Sequence, residues 1–444
     1  MARRELVRFG SLVAVLLAAC AATTGVLTSC SSDDPAADAG AGDSGLEGSV
    51  TADGAVSDGG PVDPPPRDAA PFDGGPLPVV CGSSPCATSL VTTTSLADDQ
   101  EEGFCALLSD GTVACWGANG LGQLGRGDDA GVAGSVKPAR VVGLSDVVRL
   151  EHTCALDKSG ATWCWGQGAY LRTDAGGLTT EPTPVQLPLP PATAISVGGG
   201  VGCVLSDGGV LCWGSNARGQ LAPSDTAPPE AELPPTEIVI PPGAPLRSVA
   251  VGEATFVLRE DGTALSWGAR HAIGRMSSLS PDSYPKPVGL TGVSSIDLTI
   301  SLGKTGRACA TAAGIGYCWT GRAGYQEGAL AHALPRPVVA SEPLVQIATA
   351  EQGRWCAVGA SGSVYCWGLN SSGQAGDGTK EYAYEAVKVE GLPAPAAEVR
   401  TTPSSTCALL TNGKVYCFGA NSFGQLGSGM YKVPSLVPKE VVLP

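Results

Sequence analysis

The sequence predicts an all-β fold, a seven-bladed β-propeller of repeats about 50 residues long, with a disulfide stapling the central hairpin of most blades. Three observations carry that expectation. The stretch CALLSDGTVACWG at 105–117, two apolar arms around Ser-Asp-Gly, is one of seven copies; the arms of six carry cysteines at equivalent positions; and both faces of the arms are apolar. A sandwich sheet shows one wet face, whereas a blade held between two other blades buries both.

The hairpin sets the frame for the rest of the repeat. Centring its turn on Asp110 places Leu108 against Thr112 and Cys105 opposite Cys115. Opposed residues of an antiparallel pair lie about 4.5 to 5.5 Å apart at Cα, within disulfide range. The stretch returns at 154–166, 203–214, 256–268, 309–320, 356–368 and 407–419, at intervals of 49, 49, 53, 53, 47 and 51 residues. In the fourth copy both cysteines are missing together, replaced by Phe256 and Ser266, as a mutual bond predicts. The expected pairs are Cys105–Cys115, Cys154–Cys164, Cys203–Cys212, Cys309–Cys318, Cys356–Cys366 and Cys407–Cys417, with buried free thiols in paired positions as the alternative. Cys81 and Cys86, in CGSSPC, read as a small disulfide loop at the entrance to the domain. A zinc site there needs two more ligands, and no short Cys or His grouping outside the hairpins supplies them.

Each hairpin is followed by a polar turn, best formed as GANGLGQLG at 117–125, GLNSSGQAG at 368–376 and GANSFGQLG at 419–427. A Pro-containing strand comes next, then a second apolar strand, so each period supplies about four strands. Along the first hairpin, Leu107 and Val113 share one face with the cysteines, and Leu108, Ala114 and Trp116 take the other. Trp116, Trp165, Trp213, Trp267, Trp319, Trp367 and Phe418 form a set of equivalent packing wedges. One strand near 90–93 precedes the first hairpin and one around 437–442 follows the last turn. The two are expected to complete a single blade from both termini, leaving no open sheet edge.

Ahead of the repeats the chain changes character. Arg3, Arg4 and Arg8 followed by an apolar run read as an export signal over residues 1–29. Cys20 and Cys30 both sit in contexts resembling a bacterial lipoprotein box. Cleavage before Cys30 leaves an even fourteen cysteines besides the lipidated one, so Cys30 is the expected acylation site. Residues 30–80 are rich in Asp, Ala, Gly and Pro, carry nine of the fifteen net negative charges, and read as an acidic, unstructured tether to the propeller domain at 81–444. The chain is thus expected to be exported and lipid-anchored at the bacterial envelope, at the outer membrane or cell surface.

The run CALLSDGTVACWGANGLGQLGRG resembles the repeat of the regulator of chromosome condensation family, whose members are seven-bladed propellers, and the resemblance covers about 350 residues. It implies the fold and, more loosely, a binding role. The namesake is a nuclear exchange factor for a small GTPase, while other members are secreted, among them a bacterial inhibitor of β-lactamases. The export signal, the stapled hairpins and the missing basic tail set this chain apart from the nuclear type.

Catalytic motifs do not survive inspection. Gly120, Gly122 and Gly125 spell GxGxxG but lie in a polar turn and open no helix. His152, His271 and His332 are isolated, so neither a metal site nor a histidine-based triad is supported, and no cofactor is expected. The net charge of −15 argues against a nucleic-acid surface. The informative positions are where the polar turn breaks down: Tyr170 and Arg172 in the second copy, Arg270, His271 and Arg275 in the fourth, Arg322 and Tyr325 in the fifth. These aromatic and basic residues are the candidate binding residues. The expected function is a non-catalytic, monomeric binding module for a protein or cell-surface ligand. A glycan hydrolase or lyase with carboxylates at the propeller axis is the alternative, and nucleotide exchange for a small GTPase the third reading.

Overall fold

The computed structural model describes residues 72, 74–94, 101–127, 134–221, 223, 231–299, 305–322 and 333–444. Cys20, Cys30, the signal, residues 31–71 of the tether, Tyr325 and His332 lie outside them, as does the side chain of Arg322. The described strands form seven four-stranded antiparallel sheets, each continuous in sequence. In the first blade the inner strand is Ala87–Thr92, the hairpin arms are Gly103–Leu108 and Val113–Gly117, and the outer strand is Ser135–Arg140. The inner strands of blades two to seven are Val147–Glu151, Ala194–Gly198, Leu246–Val251, Val293–Leu298, Leu344–Ala350 and Ala396–Thr401.

The hairpin closes as its turn chemistry dictates. Gly111 takes φ 77°, Asp110 Oδ1 accepts the Thr112 N–H at 3.0 Å, and Leu108 N–H bonds Thr112 O at 2.8 Å. That register sets Cys105 opposite Cys115. All seven expected disulfides are present, with Cα separations of 4.0 to 4.1 Å across the hairpins and 5.8 Å in the Cys81–Cys86 loop. Replacing Cys105 and Cys115 together by alanine is expected to lower stability by about 2 to 3 kcal/mol, read from urea unfolding, because the denatured chain regains the freedom of a short ring.

The two faces of the hairpin divide as the alternation requires. Cys105, Leu107, Val113 and Cys115 pack with Leu150 and Trp165 of blade two, while Phe104, Leu108, Ala114 and Trp116 pack with Leu409, Cys417 and Leu426 of blade seven. The disulfide of one blade therefore lies against the tryptophan of the next, and blades two, three and seven repeat the arrangement against Trp213, Trp267 and Trp116. Five of the wedge indoles also donate backwards to a carbonyl in the preceding blade's turn: Trp116 to Gln425, Trp165 to Gln123, Trp213 to Tyr170, Trp267 to Gln220 and Trp319 to Ala272, at 2.7 to 2.9 Å. The tight seat explains Gly125, which has φ 64° and where a Cβ would stand 2.8 Å from Val141 and 3.1 Å from Trp165.

Blade four shows what replaces a staple. Phe256 still pairs with Ser266, but its ring now packs 5.8 Å from Trp319 of blade five. Ser266 Oγ donates to Ile273 O at 2.7 Å and accepts from Arg275 Nε at 3.2 Å, and Arg275 Nη1 reaches Asp282 at 2.7 Å. Aromatic packing and a buried polar network take over the contact made by sulfur elsewhere.

Two boundaries differ from the sequence expectation. The termini do not share a blade: Ala87–Thr92 pairs within blade one and Ser435–Val441 within blade seven. The first repeat already has its inner strand before the hairpin and the last has its outer strand after the turn, so no strand is left to exchange. Contacts between complete blades close the ring, including Trp116 to Gln425 O and Gly429 N–H to Val136 O at 2.8 Å. Residues 74–80, read as tether, also lie on the propeller. Val80 N–H bonds Thr411 O at 2.7 Å, Val79 packs on the core between blades seven and one, and Leu77 and Phe72 approach the hairpin turns at Gly362 and Gly314. This strap crosses the face formed by the hairpin turns of blades five to seven.

Candidate functional site

The opposite face carries the polar turns. Their asparagines close them internally, Asn119 accepting from Leu124 N–H at 3.0 Å and Asn421 from Leu426 N–H at 3.0 Å. Two of their glutamines reach the loop after the next blade's inner strand, Gln220 Nε2 to Gly252 O at 2.8 Å and Gln374 Nε2 to Pro403 O at 3.2 Å, while Gln123 Nε2 donates to Glu101 of its own blade at 3.0 Å. Polar turns and inner loops therefore share one face and surround the mouth of the axial channel.

The candidate binding residues do not form one patch on that face. Tyr170 is 0% exposed, its hydroxyl 2.9 Å from Thr153 Oγ1, and burial pushes the phenol up to about 12. Its carbonyl serves Trp213, the part Gln123 plays one blade earlier. Arg275 is also turned inward, onto Ser266 and Asp282. The expectation of surface anchors at these two positions is thus corrected: both complete blade packing. Arg172 is exposed and paired with Asp174, its Nε 2.9 Å from Oδ1. Arg270 is half-buried, and the neighbouring His271 places Nε2 2.5 Å from the buried carboxylate of Glu253, which Arg218 of blade three approaches to 3.6 Å. Arg322 ends a hairpin strand, Ile315–Arg322, in blade five.

Residues that the repeat comparison passed over are more exposed. Tyr384 is 88% exposed and its ring lies 4.7 Å from that of Tyr382; Met276, Tyr284, Met430 and Tyr431 are also solvent-facing. All six follow the turns of blades four, six and seven. The signal was present in the sequence as aromatic and methionine residues between the turn and the first residues of the outer strand, where the first blade has none.

A cavity of about 180 Å³ occupies the axis, lined by all seven blades, and includes Thr92, Glu151, Ser196, Asp297, Thr349 and Arg400. Three carboxylates gather around Arg400: its Nη2 lies 2.6 Å from Glu398, its Nη1 3.1 Å from Asp297, and Glu151 acts on it electrostatically. Inner strands are sheet edges, and several of these side chains satisfy the edge of the next blade. Glu398 accepts from Leu90 N–H at 2.9 Å and Arg400 Nε donates to Leu90 O at 3.0 Å. Gln346 brackets Val399 with bonds of 2.9 and 3.0 Å, Asp297 accepts from Thr349 N–H at 2.7 Å, and Ser196 Oγ accepts from Val251 N–H at 3.1 Å. Among the described residues no group of three His, Cys, Asp or Glu side chains is placed to hold a metal ion.

Burial pushes the Glu151 carboxyl up to about 7 and that of Asp297 up to about 6. Raised acids bind more protons in the folded than in the unfolded chain. Their contribution is complete below the unfolded values near 4 and is lost as pH rises through 6 to 7. Glu151→Gln is expected to remove roughly 2 kcal/mol of that decline, measured as the difference in urea stability between about pH 5 and about pH 8.

The regulator of chromosome condensation (RCC1) repeat pattern matches residues 403–425. The ultraviolet-B receptor UVR8 of Arabidopsis thaliana is 29% identical over 348 residues, covering 73% of this chain and 76% of the receptor. The E3 ubiquitin-protein ligase HERC2 of Mus musculus is 26% identical over 344 residues, 72% of this chain but only 7% of the ligase. Among solved structures, yeast RCC1 (Prp20) in complex with Kap60 superposes with a TM-score of 0.60 at 20% identity, over 76% of this chain and 85% of that one. Human WBSCR16 superposes with a TM-score of 0.61 at 19% identity, over 75% and 94%. Seven repeats, six of them stapled, and seven closed blades make the chain a seven-bladed β-propeller, and its repeat is similar to that of the regulator of chromosome condensation.

Proposed function

We propose that the chain is an exported binding module, acylated at Cys30 and held at the cell envelope by its acidic tether, which takes a protein partner on the polar-turn face and performs no chemistry on it. The observation that carries the reading is the exposed set Tyr382, Tyr384, Met430 and Tyr431 on that side of blades six and seven. Solvent-facing tyrosine and methionine are the composition of protein interfaces, with Arg172 and Arg270 as further anchors. The strap at 74–80 lies on the opposite face. The yeast relative Prp20p is described through its binding properties to Gsp1p and histones, a precedent for protein binding by such a propeller.

The axial carboxylates favour the glycan hydrolase or lyase reading, since such chemistry uses a pair of them. Against it, Glu398 and Asp297 are already engaged by backbone N–H groups and by Arg400. The test uses the chain with Tyr382, Tyr384, Arg172 and Arg270 all changed to alanine. Capture of its partner from envelope extracts is expected to fall about tenfold or more, while mass spectrometry of the mature chain finds the acyl group on Cys30. Undiminished capture by the quadruple variant rules this surface out.

A further inference from the structure

The charges at the axis do not balance. Glu151, Asp297 and Glu398 all interact with one guanidinium, that of Arg400. His152, beside Glu151, contributes no charge at neutral pH: burial holds its imidazole down at about 4, with Nδ1 2.9 Å from Thr92 O. Glu351 lines the same cavity, and Arg307 is the cation that acts on it. Of the three carboxylates at Arg400, Glu398 and Asp297 each accept a backbone N–H from the next blade. Glu151 interacts instead with the side chain of Ser196.

A second observation comes from a different strand. Thr349 is 6% exposed and lines the cavity, its N–H is given to Asp297, and its Oγ1 has no hydrogen-bond partner. An unpaired buried hydroxyl is costly unless something completes it. We infer that the axial cavity is a binding site for a small organic cation bearing a primary ammonium group, received among Glu151, Asp297 and Thr349. An ammonium offers three donors and no acceptor, the complement of two carboxylates and a hydroxyl oxygen. The cavity, at about 180 Å³, is comparable with engineered cavities of ~150 Å³ that hold benzene, so the ligand is of about six heavy atoms. The groups facing Glu151 are Arg400, Asp297, Glu398 and the neutral His152, so ligand charge and proton compete for Glu151. Affinity therefore falls as pH drops below 7. This assignment is independent of any partner on the polar-turn face.

The experiment is calorimetric titration of the full mature chain with butylammonium at about pH 7.5, with 1-butanol as the neutral control. Saturable binding of one butylammonium is expected, with none of butanol. Glu151→Gln, which keeps the side-chain volume, and Thr349→Val are each expected to weaken it about tenfold; thermal unfolding confirms that both variants fold. Absence of saturation, equal binding of butanol, or unchanged affinity in folded Glu151→Gln overturns the assignment.

Discussion

Glu102→Ala is expected to loosen the ring at the junction between blades one and seven. The carboxylate is 3% exposed and accepts from Thr402 Oγ1 at 2.6 Å, Ser404 N–H at 2.9 Å, Ser404 Oγ at 2.8 Å and Ser405 Oγ at 2.9 Å, with Gln425 Nε2 at 3.4 Å. All five donors belong to blade seven. Alanine takes the acceptor from the Ser404 N–H and hydroxyl and from the Gln425 amide in a closed junction, while the Thr402 and Ser405 hydroxyls keep each other at 2.7 Å; bonds to a charged acceptor are the strong kind, so the loss is expected to reach about 3 to 5 kcal/mol in urea unfolding. Amide exchange should speed up first at 402–405 and 425, because these contacts are among those that close the ring in place of a shared strand. Glu253 occupies the equivalent repeat position, but its partners are His271 and the more distant Arg218. Glu253→Ala is therefore expected to cost clearly less, and equal losses at the two sites would refute the account of closure.

Arg354→Ala is the second large effect. Its guanidinium is 0% exposed: Nε donates to Thr401 Oγ1 at 2.6 Å, Nη1 to Leu369 O at 2.9 Å, and Nη2 to Gln374 O and Thr406 Oγ1. Gln374 O is the carbonyl that an indole would take if blade seven had a tryptophan, but the residue there is Phe418, which has no N–H. Removing the arginine leaves that carbonyl with only the Thr406 hydroxyl, at 3.0 Å, and opens a cavity, for a loss of about 3 to 5 kcal/mol. Phe418→Trp in the same chain should recover about 1 kcal/mol by restoring the indole bond. In the wild-type background it should be neutral or harmful, since the carbonyl is already engaged. A double-mutant cycle on urea midpoints reads the difference; additive effects would mean that Arg354 does not stand in for the indole.

What could be read from the chain follows from what each position is required to do. The staples and wedges were legible because sulfur must meet sulfur and an indole must fill a fixed seat, so the same letters recur. The polar-turn position of Gln123 was misread in blade two because the structural demand there falls on the carbonyl, which any residue supplies. Tyr170 and Ala272 meet it as well as glutamine. A broken pattern at such a position signals tolerance of the side chain and says nothing of its exposure. Arg354 and Arg400 were hidden for the opposite reason: a lone arginine in a strand reads as a solvated charge, and only the ring brings Thr401 and Thr406 of blade seven to the first and Asp297 of blade five to the second. The exposed tyrosines of blade six went unnoticed because its turn follows the pattern well.

The caps on the inner strands bear on how the ring counts to seven. Leu90 is met by a glutamate and an arginine, Val399 by a glutamine, Thr349 by an aspartate and Val251 by a serine, each from the blade before. Near-identical hairpins invite mispairing during folding, when one repeat stands in for another. Dissimilar locks between similar blades penalise such exchange, because a displaced blade brings the wrong cap to its neighbour's edge. Deleting or duplicating an internal blade should for that reason disturb assembly more than the likeness of the repeats suggests, since their order is written at the axis.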